Sequence, residues 1–283
     1  MSDGSCTPQS PDPDPTDEPT DEPTDEPTDE PTDEPTDEPT PAPRRSTWRR
    51  TELRARRHGL RADDAPAAIS RVASGGEIFL RGGTYNLSQT VVVAPGNDGT
   101  AGDRTLLSAY PGETPVLDFS AQGEDPANRG LALNGDYWRL YGVVVQRAGD
   151  NGIFVGGSNN VVERVVTRHN RDSGLQISRI AADTPASDWP ANNLVLSTES
   201  HDNVDSDGED ADGFAAKLTS GPGNVFRYAV SHNNIDDGWD LYTKTETGPI
   251  GAVTIESSLA YENGTLADGS QAATATATGT SSG

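Results

Sequence analysis

One asparagine recurs at the same point of a repeating unit through the second half of the chain. Each copy follows a short β-rich run, at intervals of 33, 31 and 29 residues, and the four copies are Asn170, Asn203, Asn234 and Asn263. A steady period of this length is typical of a solenoid in which each repeat forms one coil. Asparagine at one corner of successive coils predicts a ladder of stacked side chains. The pattern therefore favours a right-handed parallel β-helix.

Small polar residues followed by glycine recur in the same repeat, each pair just before a short apolar run. The pairs are Asn151-Gly152, Ser173-Gly174, Asp212-Gly213 and Asp237-Gly238, and an insertion at 179–190 lengthens the middle interval. Such pairs also occur in the hairpins of β-sandwiches, which is the alternative interpretation. Apart from a short helical segment that begins at Ala65, no amphipathic helix interrupts the runs. We predict an all-β domain over 65–265 that is incomplete at its C-terminus.

The N-terminal residues 1–43 differ sharply in composition from the repeat region. The tetrapeptide Pro-Thr-Asp-Glu occurs six times between Pro15 and Glu38, and residues 11–40 carry 14 of the 45 acidic side chains. Proline at every fourth position and repelling charges predict an extended, disordered linker, with a plain disordered tail as the alternative. Because linkers of this type join domains of secreted enzymes, we expect an extracellular protein whose signal peptide is not present in this chain.

Two further segments do not fit the repeat region. Residues 44–64 are rich in arginine, and a basic helix that binds membranes or polyanions is one interpretation. We favour the hypothesis that a shifted reading frame produced this segment. The tail at 266–283 is predicted to be disordered or out of frame. The nucleotide sequence would decide both cases.

Charge and cysteine content exclude several classes of protein. The single cysteine, Cys6, provides no disulfide framework. No run approaches 18 apolar residues, so we expect no membrane span. The balance remains acidic from Ala62 onward, so we expect no nucleic-acid partner. We expect a monomer.

Two acidic clusters, at 211–214 and 236–240, form the candidate site. Their four carboxylates are those of Asp212, Asp236, Asp237 and Asp240. Because Asp212-Gly213 and Asp237-Gly238 share a position in the repeat, they should stack on adjacent coils, about 4.8 Å apart. Oxygen ligands without histidine or cysteine suit a hard cation, calcium before magnesium. Solvated acidic turns are the alternative.

Other polar residues give weaker signals. The stretch Asp-Ser-Asp-Gly-Glu-Asp at 205–210 resembles part of a calcium loop, but it lacks the spacing and the final glutamate of an EF-hand. Asp205 is a lesser candidate for a ligand or for a residue that lines a cleft. We expect His169, His201 and His232, which recur beside the asparagines, to be corner residues rather than acid–base catalysts.

The segment 202–242 carries a family resemblance. Its letters, H-D-N-V-D…A-D-G-F-A-A-K-L-T…G-P-G-N-V-F-R…N-N-I-D-D-G-W-D-L-Y, resemble the central motif of polysaccharide lyase family 9 pectate lyases. The resemblance covers roughly 76–264 and implies a right-handed parallel β-helix that cleaves polygalacturonate (pectin) by calcium-dependent β-elimination. Matched by motif, the calcium ligands would be Asp212, Asp236, Asp237 and Asp240. Lys217 would touch substrate carboxylates.

The same resemblance leaves the catalytic residue unknown. In this family the general base is a lysine on a later coil, in a G-x-G-F/Y-K-L-G context, but no lysine follows Lys244 here. A shifted frame over Thr274–Gly283 could encode that motif. As written, the chain is expected to lack the base and to be inactive as this fragment. The alternatives are a non-catalytic β-helix that binds calcium and pectate, and a β-helix lyase or epimerase acting on another uronate polymer such as alginate.

Overall fold

The computed structural model describes residues 64–271. The predictions for the linker at 1–43, for the arginine-rich segment up to 63 and for the tail at 272–283 lie outside these residues and stay predictions. The described part begins with helix α1, Asp64–Arg71, which buries Ala65 and Ile69 against the first coil. Among the described residues, no helix is long and apolar enough to cross a membrane.

The rest of the described chain consists of short strands in three parallel sheets. Sheet 1 contains β1 Glu77–Leu80, β4 Thr105–Ala109, β7 Trp138–Tyr141, β10 Val161–Glu163, β13 Leu194–Leu196, β16 Asn224–Arg227 and β19 Val253–Glu256. Sheet 2 contains β2 Gly83–Asn86, β5 Pro115–Asp118, β8 Val144–Gln146, β11 Val166–Arg168, β14 Glu199–His201, β17 Val230–His232 and β20 Leu259–Tyr261. Sheet 3 contains β3 Val91–Val93, β6 Leu131–Leu133, β9 Ile153–Val155, β12 Leu175–Ile177, β15 Phe214–Ala215 and β18 Trp239–Asp240.

Every strand pairs in parallel with the strand three places along the chain, so three consecutive strands make one coil. This arrangement confirms the predicted all-β parallel β-helix. The insertion at 179–190 leaves the helix after β12 and contains one 3₁₀ turn, Ala186–Asp188. Residues 265–271 form a small turn closed by a bridge between Thr265 and Gln271.

The core lies inside the coils, where equivalent residues of successive coils stack. Sheet 3 contributes a column of fully buried side chains that runs through Leu131, Ile153, Leu175 and Phe214. Trp239 continues it, with its ring centroid 5.2 Å from that of Phe214. Short strands suffice because each residue is supported from the coils on both sides.

The predicted asparagine ladder is present and buried. Asn170, Asn203 and Asn234 each donate an Nδ2–H to the Oδ1 of the next asparagine, over 2.9, 2.7 and 2.9 Å, and Asn263 accepts the last of these bonds. The same Oδ1 atoms accept the backbone N–H of the preceding ladder residue. Each side chain therefore satisfies a corner of the backbone that no strand pairing would satisfy.

A second ladder, which we did not predict, opens the strands of sheet 1. Asn193 donates through both its backbone N–H and its side chain to Asn224 Oδ1, at 3.0 Å each, and Asn160 donates its backbone N–H to Asn193 Oδ1. Its intervals of 33 and 31 residues match those of the first ladder. The signal was thus available in the sequence.

The recurrent glycines have a steric cause. A Cβ at Gly174 would lie 2.7 Å from Asn203 Nδ2, and one at Gly213 would lie 2.8 Å from Asn234 Nδ2. The Cβ at Gly213 would also lie 1.9 Å from Ser231 Oγ. Only glycine leaves room for the asparagine ladder at these positions. The glycine therefore recurs on each of these coils, and the residue just before it lies at the same edge of sheet 3 each time.

Candidate functional site

The two acidic clusters meet at the edge of sheet 3, where β15 and β18 begin. Gly213 donates its backbone N–H to the Asp237 carbonyl over 2.9 Å, and Phe214 pairs with Trp239. The predicted register is therefore confirmed, and Asp212 and Asp237 occupy equivalent positions on adjacent coils.

Three of the four predicted carboxylates converge. Asp212, Asp236 and Asp237 each place one oxygen so that all three atoms lie within 4.8 Å of one another. Asp212 is buried, Asp236 is partly buried and Asp237 is exposed, so the group opens to solvent on one side. Asp240 lies outside this group of three and contacts Lys217 instead.

Lys217 binds two of the predicted ligands at once. Its Nζ lies 3.1 Å from Asp212 Oδ2 and 2.9 Å from Asp240 Oδ2, and its side chain is buried. Ser173, one coil earlier, donates its hydroxyl to Asp212 Oδ2 over 2.9 Å. Asp212 Oδ1 accepts the backbone N–H of Asp237. Asp212 is thus the fixed centre of the site, with contacts to three coils.

The electrostatics of the three converging aspartates and Asp240 favour the binding of a cation. Burial raises the pKa of Asp212 to about 7, against the opposing effect of Lys217. Burial, together with repulsion from Asp237 and Asp240, raises the pKa of Asp236 to about 6. One ammonium group faces four carboxylates, so the ionised site retains an excess of negative charge. An all-oxygen donor set with this charge fits a hard divalent cation such as calcium.

A longer column of aspartates passes through the site. Its members stand two residues after the corner position of successive coils, and they are Asp150, Asp172, Asp205 and Asp236. Burial, followed by the Asp172 charge, raises the pKa of Asp150 to about 7. We did not predict this column, although three of its members follow a ladder asparagine by two residues in the sequence.

Arg129 balances part of the charge at the far end of the column. Its Nε lies 3.4 Å from Asp150 Oδ2, and its guanidinium lies 3.5 Å from the centre of the Phe154 ring. The sequence interpretation also missed this arginine and Ser173. Each directly precedes a glycine that stands just before a strand of sheet 3, Gly130 before β6 and Gly174 before β12, and this shared position was the available signal.

The three histidines lie where sheet 2 leads into the corner, and the His169 ring meets that of His201 edge to face at 6.0 Å. His201 and His232 are the last residues of β14 and β17, and their rings stack at 5.0 Å, with Tyr261 stacked on His232 at 4.9 Å. His201 Nδ1 contacts Asp202, and His232 Nε2 contacts Glu199. Each of these two rings is therefore held by stacking and by a contact with a carboxylate, and the absence of a catalytic role stays a prediction.

Comparisons with known proteins agree with this architecture. Residues 61–283 match the family model described as "Pel9A-like, right handed beta helix region", and residues 9–44 match a model described as "PT disordered repeat". Over 208 residues, 73% of the chain, it is 58% identical to Pectate lyase L of Paenibacillus polymyxa and 47% identical to Pectate lyase L of Thermoclostridium stercorarium.

A solved structure gives the same result. The crystal structure of pectate lyase Pel9A matches 70% of this chain with a TM-score of 0.61 and 33% sequence identity, and 48% of that chain is covered. The chain spans 46% of the length of the Paenibacillus protein and 16% of that of the Thermoclostridium protein. With its family model, its motif and its coil architecture in agreement, the chain belongs to the Pel9A-like family of right-handed β-helix proteins, the pectate lyases of polysaccharide lyase family 9.

Proposed function

We propose that this chain is the core of a calcium-dependent pectate lyase that cleaves polygalacturonate by β-elimination. The observation that carries the proposal is the convergence of the Asp212, Asp236 and Asp237 carboxylates on two adjacent coils. Relatives at 58% and 47% identity are named pectate lyases, which supports the same reaction for this chain. Asp212, Asp236, Asp237 and Asp240 would hold the ion.

A divalent cation bound there would neutralise the carboxylate of a uronate residue and so make its C5 proton more acidic. Neighbouring side chains hold the proposed ligands in position. Ser173 and Lys217 fix Asp212 from two directions, and Lys217 also holds Asp240. The Asp237 carboxylate is exposed, so the site is open to solvent on that side and a polymer can approach it there.

Lys217 is the positive side chain of the site, and we propose that it contacts substrate carboxylates. It is a poor general base, because Asp212 and Asp240 hold its pKa above the ordinary lysine value despite its burial. A base must be unprotonated to accept the C5 proton. The other lysine in the sequence, Lys244, is exposed in the loop after β18. We therefore propose that this chain has little lyase activity by itself.

The pairing of Lys217 also favours a second candidate function. A β-helix with a complete cation site and a protonated lysine would bind calcium and pectate without cleaving the polymer. Cleavage and binding can be separated experimentally, because elimination creates an unsaturated sugar end and binding does not.

The test is an ultraviolet assay of unsaturated product with polygalacturonate, in calcium and again with chelator, using Pectate lyase L of Paenibacillus polymyxa as positive control. We expect calcium-dependent retention on a polygalacturonate column and weak cleavage. Retention that persists in chelator would contradict the calcium site. Preference for alginate in both measurements would contradict the choice of substrate, and rapid cleavage would contradict the proposed lack of a base.

A further inference from the structure

The loop 206–211 interrupts the regular corner just before the candidate site. In the coils before and after it, Asp172 is followed directly by Ser173, and Asp236 directly by Asp237. In the coil between them, six residues separate Asp205 from Asp212. The loop docks on an earlier coil, since Ser206 donates its backbone N–H to Glu124 Oε1 over 3.0 Å.

Asp205, at the base of this loop, has one satisfied and one unsatisfied carboxylate oxygen. Its Oδ2 accepts the backbone N–H groups of Glu209 and Asp210, both at 3.3 Å. Its Oδ1 is buried and has no hydrogen-bond partner among the described residues, and the residue is only 8% exposed. A buried carboxylate oxygen without a donor is costly, so such an atom points to a missing partner.

The neighbour that the loop supplies is another acceptor. The carboxyl group of Asp207 lies within hydrogen-bonding distance of that of Asp205. Burial, followed by this contact, raises the pKa of Asp205 to about 6. Two basic side chains beside the column are paired with other carboxylates, Lys217 with Asp212 and Asp240 and Arg129 with Asp150.

We propose that residues 205–210 form a second divalent-cation site, with Asp205 Oδ1 and the Asp207 carboxylate as its charged ligands and calcium as its preferred ion. The donor set is again oxygen only, which suits calcium among the common divalent ions. Gly208, at φ 77°, allows the tight turn that brings the backbone N–H groups of Glu209 and Asp210 back to Asp205 Oδ2. This site does not depend on the proposed lyase reaction.

Occupation of this site would order the loop that leads into Asp212. Asp210, at the end of the loop, donates its backbone N–H to Asp205 Oδ2 and accepts the backbone N–H of Asp212 over 3.1 Å. A cation between Asp205 and Asp207 therefore fixes the approach of Asp210 to the first site, and it couples the two sites through the loop.

The test is the stoichiometry of calcium binding to the full chain at pH 8 by equilibrium dialysis. We expect two tightly bound ions in the unmodified chain and one in Asp207→Asn, whose substituted side chain is exposed. Asp237→Ala should lose the other ion, and the double variant should lose both. Asp183→Asn, an exposed charge-matched control, should keep both. Weak binding to the acidic residues 11–40 is common to all variants and cancels in the comparison.

A single tight ion in the unmodified chain that Asp237→Ala abolishes would overturn the second site, as would two ions in Asp207→Asn. Two ions in Asp237→Ala would instead count against the proposed function. Hydrogen exchange of the 204–212 backbone gives an independent readout. We expect calcium to slow it by at least about tenfold in the unmodified chain and in Asp237→Ala, but not in Asp207→Asn. Equal slowing in Asp207→Asn would also overturn the proposal.

Discussion

The asparagine ladder and the aspartate column run side by side along the same corner of the β-helix, two residues apart, and they differ in one chemical group. In the ladder, Asn203 accepts from Asn170 and donates to Asn234, so each amide satisfies its neighbours. In the column, an ionised carboxylate accepts hydrogen bonds but has none to donate. The equivalent stack of Asp172, Asp205 and Asp236 therefore cannot satisfy itself.

This difference assigns stability and binding to separate columns. The ladder closes its own hydrogen bonds in a buried corner and contributes to the rigidity of the fold. The column concentrates negative charge and raised carboxyl pKa values on the same scaffold, so it requires protons, basic side chains or bound cations. Substitutions in the two columns should therefore have opposite consequences.

The largest effect is expected when the chemistry of the column is placed in the ladder. Asn203→Asp removes the two donors that reach Ser200 Oγ and Asn234 Oδ1 and buries a charge at a fully buried position. We expect a loss of about 3 kcal/mol or more in the free energy of unfolding, measured by urea denaturation. Asn263→Asp, at a partly exposed ladder position, is the control and should lose about 1 kcal/mol.

Equal losses in these two variants would show that the ladder does not act through its buried donors.

The second effect removes the charge compensation that the protein itself provides beside the column, at the candidate site. Lys217→Met leaves Asp212 buried beside Asp240 without its ion pair. Breaking a buried pair in this way should cost about 2 kcal/mol or more of unfolding free energy in the presence of chelator. Lys244→Met, which removes an exposed lysine, should leave it within about 0.5 kcal/mol of the unmodified value.

An unchanged unfolding free energy in Lys217→Met would show that Asp212 does not depend on the lysine for charge compensation.

The third effect has the opposite sign. Asp236→Asn removes a partly buried charge and relieves its repulsion from Asp237 and Asp240, so in chelator, with solvent screening most of the effect, it should raise the free energy of unfolding by about 1 kcal/mol. The same change should weaken calcium binding at the first site by at least about tenfold, measured by calorimetry, because one ligand charge is lost. Asp183→Asn should change neither quantity, and a less stable Asp236→Asn would contradict the view of the column as self-repelling.

The fold and the central site were accessible from the sequence because both depend on register. The spacing of Asn170, Asn203 and Asn234 fixes the coil, and the coil brings Asp212 beside Asp237. The contacts of Lys217 with two aspartates were not accessible, because they depend on side-chain directions rather than on the repeat. Asp205 was a lesser ligand candidate from the sequence, but its buried, unpartnered Oδ1 could not be predicted, because it too depends on side-chain direction.

The smallest effect concerns Asp118, a carboxylate outside the column whose two oxygens both accept hydrogen bonds. Asp118 Oδ1 accepts the Ser120 N–H, and its Oδ2 accepts from Gln146 and Arg147 at 2.6 and 2.7 Å. Burial alone would raise its pKa, but these hydrogen bonds lower it to about 2. Because the folded pKa lies below the unfolded one, Asp118 stabilises the fold above about pH 4 and loses this contribution as the pH falls toward 2.

Asp118→Asn should therefore destabilise the protein by about 0.5–1 kcal/mol at pH 7, and the difference from the unmodified chain should shrink as the pH falls below 4. Urea denaturation at pH 7, 5 and 3.5 measures both quantities. A difference that is constant with pH would mean that the charge of Asp118 is irrelevant and that only its shape matters. A difference that fades in acid would show that a buried carboxylate on this scaffold is stabilising wherever donors surround it, so that the instability of the column comes from the lack of donors and not from the carboxylates themselves.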